Sequence, residues 1–120
     1  MADGQRLTAN DRFYMTDKIL VLTAAGSERD AGNIAHTLVQ LRLAACVNIL
    51  PQVASVYRWE GRVDRAEEWL LLIKTTRASF EAVRDAIKEL HSYEVPECIA
   101  IPIELGSSEY LKWIADSVVA

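Results

Sequence analysis

Ala45-Cys46-Val47-Asn48-Ile49-Leu50-Pro51, then Val53 to Trp59, then Glu60-Gly61-Arg62, then Glu67 to Thr75 with Trp69-Leu70-Leu71-Leu72-Ile73 at its heart: this stretch decides the fold. Two strand-like runs flank a turn signal, so they read as one hairpin. By strand alternation Val53, Ser55, Tyr57 and Trp59 share a face. Pro51 has no amide hydrogen to give a ladder, so it marks a bulge or a sheet edge. Each arm exceeds the ~5–6 residues of an average strand. An isolated ribbon of that length is marginal, so its distal half is expected to pack against something else.

Working outward, Ile19-Leu20-Val21-Leu22 is wholly apolar and reads as a central strand. Gly26-Ser27 breaks it. Ser27 can cap a helix with Glu28 and Asp30 in the first turn, and Ala31, Ile34, Ala35, Leu38 and Leu41 give helical spacing over roughly residues 28–43. Beyond the hairpin, Thr76 or Ser79 is expected to cap a second helix striped by Phe80, Val83, Ile87 and Leu90. His91 to Pro96 is a loop, Cys98 to Ile103 a fourth strand, and Pro102 marks that strand as an edge or as irregular. Gly106-Ser107-Ser108 opens a third helix along Tyr110, Leu111, Ile114 and Val118.

The order β-α-β-β-α-β-α contains the split pattern of an α+β, ferredoxin-like sandwich, with a long β2-β3 hairpin and an extra C-terminal helix. Its first two helices cover one face of the sheet. Strands 1, 3 and 4 are apolar on both faces, unlike a half-solvated antiparallel sheet. The third helix can cover only part of the second face, so a closed, symmetric homo-oligomer is expected to cover the rest.

Composition narrows the classes of function. The 120 residues fit one domain, 51% hydrophobic and 25% charged, with net charge −4. That balance argues against a nucleic-acid partner, which needs a clustered basic surface. No apolar run reaches the ~18 residues of a membrane span, so no membrane partner is expected. Residues 1–17 read as a polar, flexible extension without the layout of a signal peptide, and 18–120 as the domain. Met15 is an alternative start. A cytoplasmic location follows as the expectation, with Cys46 and Cys98 as free thiols.

Five segments carry a family resemblance. Leu43-Ala44-Ala45-Cys46-Val47-Asn48-Ile49, Ser55-Val56-Tyr57-Arg58-Trp59-Glu60-Gly61, Ile73-Lys74-Thr75-Thr76, His91-Ser92-Tyr93-Glu94-Val95-Pro96-Glu97 and Tyr110-Leu111-Lys112-Trp113-Ile114 resemble, in order and at compatible spacing, motifs of the CutA divalent-cation tolerance family. The resemblance implies a tight homotrimer in which each hairpin reaches onto a neighbour, as in the PII signalling proteins. It also implies a role in tolerance of divalent metals, copper above all. The copper set it implies is a Cys at the end of strand 1 and two adjacent His before the tyrosine. Those positions are Thr23, Leu90 and His91 here, so only His91 survives, and Ser92 replaces the usual proline.

His91 is therefore the leading metal candidate, with Glu94 and Glu97 close by, because imidazole and carboxylate suit Cu(II) or Zn(II). Cys46 is a soft candidate for Cu(I), set against the plainer reading of a buried strand thiol. No CxxC, HxxxH or HxH spacing defines a site locally, no cofactor is required, and Cu2+ or another divalent cation is the candidate ligand. Cys98 reads as packing and His36 as a solvated helix residue. Tyr57, Trp59, Tyr93 and Trp113, with Glu67, Lys74 and Glu94, could line a small-ligand pocket between subunits or seal an interface. Lys74 in an apolar strand needs a partner if buried, and Glu60, Glu67, Glu68 and Glu94 are candidates. Glu67-Glu68 reads as a solvated hairpin pair, since adjacent strand residues face opposite ways. No nucleophile elbow, phosphate loop or dinucleotide fingerprint is present, so the chain reads as a non-enzyme. The alternatives are a signalling or adaptor trimer without a metal role, and an acylphosphatase-like enzyme using Arg29.

Overall fold

The computed structural model describes residues 16–119. Met15 and nearly all of the N-terminal extension lie outside the described residues. Strand β1 (Lys18–Ala25) runs through the interior of a four-stranded sheet of order β2-β3-β1-β4, with β2 Cys46–Trp59, β3 Arg62–Thr76 and β4 Ile99–Pro102. Every neighbouring pair is antiparallel. Strands β1 and β2 are thus parallel to one another with β3 between them, which is the split pattern expected. Both proline-bearing strands lie at the edges, where a missing amide hydrogen costs least.

Helix α1 (Glu28–Gln40) starts as its sequence demands. The Ser27 hydroxyl accepts from the Asp30 amide at 3.1 Å, and Glu28 and Asp30 sit at the positive end of the helix dipole. It stops before the expected residue 43, because Arg42 takes a left-handed φ of 59°. A non-glycine residue keeps that conformation only when something holds it. The Arg42 guanidinium donates to the carbonyls of Asp116 (2.8 Å) and Ser117 (3.2 Å), at the end of the third helix.

A 3₁₀ turn, Arg77–Ser79, leads into α2 (Phe80–Leu90). The foreseen side-chain cap is absent, since the Thr76 hydroxyl bonds the Ser79 hydroxyl at 3.2 Å instead. Helices α1 and α2 bury Ala31, Ile34, Leu38, Val83 and Ile87 against Ile19, Val21, Leu71 and Ile73 of the sheet.

In the hairpin, Leu50 pairs with Leu70 and Val53 with Glu68. Two residues, Pro51 and Gln52, therefore oppose Trp69 alone. This is the bulge that Pro51 announced, and Gln52 carries a φ of 57°. At the tip, Glu60 (φ 49°) and Gly61 (φ 79°) make the two-residue connection whose twist suits a hairpin. The returning strand begins at Arg62 rather than Glu67, so the ribbon is longer than the sequence suggests. The described chain spans 55 × 30 × 23 Å.

Helix α3 (Ser108–Ser117) is capped by Ser107, whose hydroxyl accepts from the Tyr110 amide at 3.3 Å. It lies on the second face, where Tyr110 approaches Lys74 and Ile114 is buried. It does not blanket that face. Ile99 and Ile101 stay 53% and 48% exposed, and Leu20, Leu22, Leu70 and Leu72 on the same face are only half-buried. Among the described residues no helix is long and apolar enough to cross a membrane.

Two glycines should respond oppositely to alanine. At Gly61 a Cβ enters the left-handed region, so Gly61→Ala should lose about 1 kcal/mol. Gly32 lies inside α1, where an added Cβ would meet nothing within 4 Å, so Gly32→Ala should gain about 0.5–1 kcal/mol. Urea denaturation measures both.

Candidate functional site

Helix α2 ends at Leu90, and His91 turns the chain into extended backbone while its amide still bonds the Ile87 carbonyl at 2.8 Å. The imidazole is buried, and both ring nitrogens are occupied. The Tyr93 amide donates to Nδ1 at 3.0 Å, which leaves Nε2 as the donor to the Ala24 carbonyl at 2.7 Å. The ring also packs against Tyr93, centroids 4.6 Å apart. The Tyr93 hydroxyl donates to Glu68 Oε2 at 2.8 Å, and the Ser92 hydroxyl to Asp30 Oδ2 at 3.0 Å. One short loop is thereby tied to β1, β3 and α1. Gly26 is part of the arrangement: a Cβ there would lie 2.7 Å from the Tyr93 hydroxyl oxygen.

Between this loop and the hairpin lies a cleft of ≈ 620 Å³. Its walls include Ser55, Val56, Tyr57 and Trp59 of β2, Glu68 of β3, and the loop from Tyr93 to Glu97. Register explains the gathering. Val53 pairs with Glu68, Ser55 with Ala66 and Tyr57 with Asp64, so Glu68 shares the face of Tyr57 and Trp59. Partial burial, the hydrogen bond to Glu68 and the negative charge of that carboxylate push the Tyr93 phenol up to about 12.

Of the residues singled out from the sequence, Tyr57, Trp59, Tyr93 and Glu94 converge on the cleft. Glu67 pairs with Ala54 on the opposite face. Lys74 and Trp113 gather elsewhere, around Tyr110. The Lys74 ammonium lies 3.4 Å from the Tyr110 hydroxyl and 5.5 Å from its ring centre, and Trp113 lies 5.3 Å from that ring. Thus a phenol stands where a carboxylate partner for Lys74 was foreseen. Cys46 pairs with Lys74, which pairs with Leu20, whereas His91 is fastened to Ala24 further along β1; the structure does not bring the two candidate ligands together. Cys98 packs on the core, where burial pushes its thiol up against an opposing pull from Arg84. His36 is exposed. The Thr23 hydroxyl is buried without a hydrogen-bond partner among the described residues.

Glu68 is the wall residue that the sequence reading passed over; its parity with Tyr57 follows from the turn at Glu60-Gly61, which pairs Trp59 with Arg62 and Val53 with Glu68. Alternation with Leu70 and Leu72 was the available signal. Among the described residues, no three His, Cys, Asp or Glu side chains are grouped so as to hold a metal ion.

An antiparallel sheet in order β2-β3-β1-β4, two helices on one face, a third on the other and an overlong hairpin define a small α+β domain of the split β-α-β class. A profile described as "CutA1 divalent ion tolerance protein" matches residues 19–117. The chain belongs to the CutA1 divalent ion tolerance family. It is 48% identical over 98 residues to the divalent-cation tolerance protein CutA of Thermus thermophilus, covering 82% of this chain and 95% of that protein. It is 43% identical over 88 residues to protein CutA of Homo sapiens, covering 73% of this chain but only 49% of the human protein. The solved Thermus thermophilus structure superposes with TM-score 0.84 at 46% identity, covering 85% of this chain and 99% of that one. CutA of Xylella fastidiosa superposes with TM-score 0.85 at 38% identity, covering 87% and 100%.

The Tyr93 phenol gives a pH prediction. Its pKa is raised in the folded state, so its contribution to stability is intact below the ordinary phenol value of about 10. That contribution is lost as pH rises through about 12. Ultraviolet titration should show Tyr93 ionising late. Glu68→Gln should move it part of the way down, because burial, the largest cause, remains. An unshifted titration in that variant would contradict the assignment.

Proposed function

We propose that the chain acts as a homotrimer that binds divalent cations weakly, copper(II) among them, and serves the response to such ions rather than catalysis. One observation carries the assembly: the second face of the sheet, with Ile99, Ile101, Tyr110 and Trp113 each more than 40% exposed in a single copy. So much apolar and aromatic surface on one face marks an association site. A closed arrangement of three copies, each hairpin laid on its neighbour in PII-like fashion, would cover it and support the distal ribbon. The relatives' names supply the role in cation tolerance.

The metal reading is limited by donor geometry. A cation that recruits His91 must displace either the Tyr93 amide or the Ala24 carbonyl from the ring. The cleft carboxylates Glu68, Glu94 and Glu97 offer oxygen donors, and a second copy would complete a coordination sphere that one copy leaves incomplete. Weak, shared binding follows. The unpaired thiols Cys46 and Cys98 fit a reducing compartment, the cytoplasm. A phosphate-handling enzyme draws little support, since Arg29 is exposed in the first turn of α1 between Glu28 and Asp30.

Light scattering of the wild type at micromolar concentration should give the mass of three chains. Ile101→Glu places a carboxylate on the face to be covered, and an uncompensated buried charge costs several kcal/mol. This variant should stay folded by circular dichroism and dissociate. Copper(II) calorimetry should then lose its signal along with the assembly. A monomeric wild type would contradict the assembly, and undiminished copper binding by a dissociated variant would contradict the shared site.

A further inference from the structure

We propose that Arg42 is a shared C-terminal cap for helices α1 and α3, and that this side chain, set in the loop between α1 and β2, fixes α3 on the sheet and so tunes the assembly. The effect on assembly rests on the homotrimer proposed above, whereas the cap does not.

Around Arg42 the backbone follows a defined pattern. The Leu43 amide bonds the Leu38 carbonyl at 2.9 Å, and the Arg42 amide bonds the Val39 carbonyl at 3.0 Å. That pair of bonds is the Schellman ending of a helix, with a left-handed residue at the position Arg42 holds. Glycine is the usual occupant, because a Cβ in that conformation crowds the following carbonyl oxygen. Glycine or asparagine would suffice merely to end α1. Arginine at φ 59° brings a side chain, and that side chain has a task elsewhere.

The task is at the end of α3. The last carbonyls of a helix have no partner within it and form the negative end of its dipole. Helix α3 has no basic residue in its own last turn. The Arg42 guanidinium supplies the missing cation from far back in the chain: Nε donates to the Ser117 carbonyl at 3.2 Å and Nη2 to the Asp116 carbonyl at 2.8 Å. The tie is reciprocal, since the Val119 amide donates to the Arg42 carbonyl at 2.9 Å. Three hydrogen bonds therefore join one residue to the last turn and exit of α3. Two of them come from a charged donor and are the stronger kind. A helix of 10 residues does not hold its own shape in water, so α3 depends on its attachment. Its apolar anchors are the buried Ile114 and Val118. The cap at its far end sets the direction of the helix, and with it the places of Tyr110 and Trp113 on the second face of the sheet.

Hydrogen exchange of the full chain, read by mass spectrometry, tests the cap. In Arg42→Ala the α3 amides should exchange about tenfold faster than in the wild type, with the β1 and β3 amides unchanged. Arg42→Gly separates the side chain from the backbone strain. Its α1 amides should be protected at least as well as in the wild type, while its α3 amides lose protection as in Arg42→Ala. Arg42→Lys should recover part of the α3 protection, because it keeps the charge without the planar fork. Subunit exchange between isotopically light and heavy protein, followed by native mass spectrometry, tests the link to assembly. Arg42→Ala should exchange subunits about tenfold faster. Unchanged α3 protection in the Ala and Gly variants overturns the cap, as does a loss spread equally over the sheet. Subunit exchange at the wild-type rate, with α3 protection lost, overturns the link to assembly. A wild type that forms no trimer defeats the homotrimer reading instead, and hydrogen exchange still decides the cap.

Discussion

A strand that is apolar on both faces must be covered on both, and β1 imposes this requirement on the whole molecule. It lies between β3 and β4 and sends Ile19 and Val21 to one side, Leu20 and Leu22 to the other. Helices α1 and α2 satisfy the first side completely, and the residues there reach zero exposure at Val21, Ile34, Leu38, Leu71, Ile73 and Ile87. The second side has only α3, a helix of 10 residues. The resulting imbalance sets the account of assembly, and through it the account of function.

The hairpin follows from the same sheet. Its root is a pair of ordinary strands, whose register with β1 is fixed by the core. Past the bulge at Pro51 and Gln52 the ribbon runs out to a tip, residues 56–65, that is exposed throughout in a single copy. The cleft sits along that ribbon. The register set at the turn puts Glu68 on the face of Tyr57 and Trp59, and the loop after α2 closes the opposite wall. His91 serves this loop through both ring nitrogens. There the imidazole holds a backbone turn in place.

Much of this was legible in the sequence because it is local. Ser27 with Glu28 and Asp30 announces a helix start, Glu60-Gly61-Arg62 a turn, Pro51 a bulge or a sheet edge, and the alternating arms a ribbon. The strand order followed from the order of elements. What the sequence hid is decided by distant groups. Helix α1 ends at Gln40 because Arg42 reaches the end of α3, more than seventy residues away in sequence. Lys74 finds a phenol from another element. Glu68 rather than Glu67 enters the cleft, because the register set at the turn pairs Val53 with Glu68 and puts Ala54 and Glu67 on the other face. Cys46 and His91, both reasonable ligands by residue type, lie at different points along β1, a separation no spacing rule reveals.

The uncovered face is what the proposed assembly would hide. Hydroxyl-radical footprinting of the side chains on that face tests this most directly. Burial between copies predicts that Ile101, Tyr110 and Trp113 are almost fully protected in solution, far below the rates their single-copy exposures of 48%, 42% and 44% would allow. Oxidation at rates matching those exposures would contradict it.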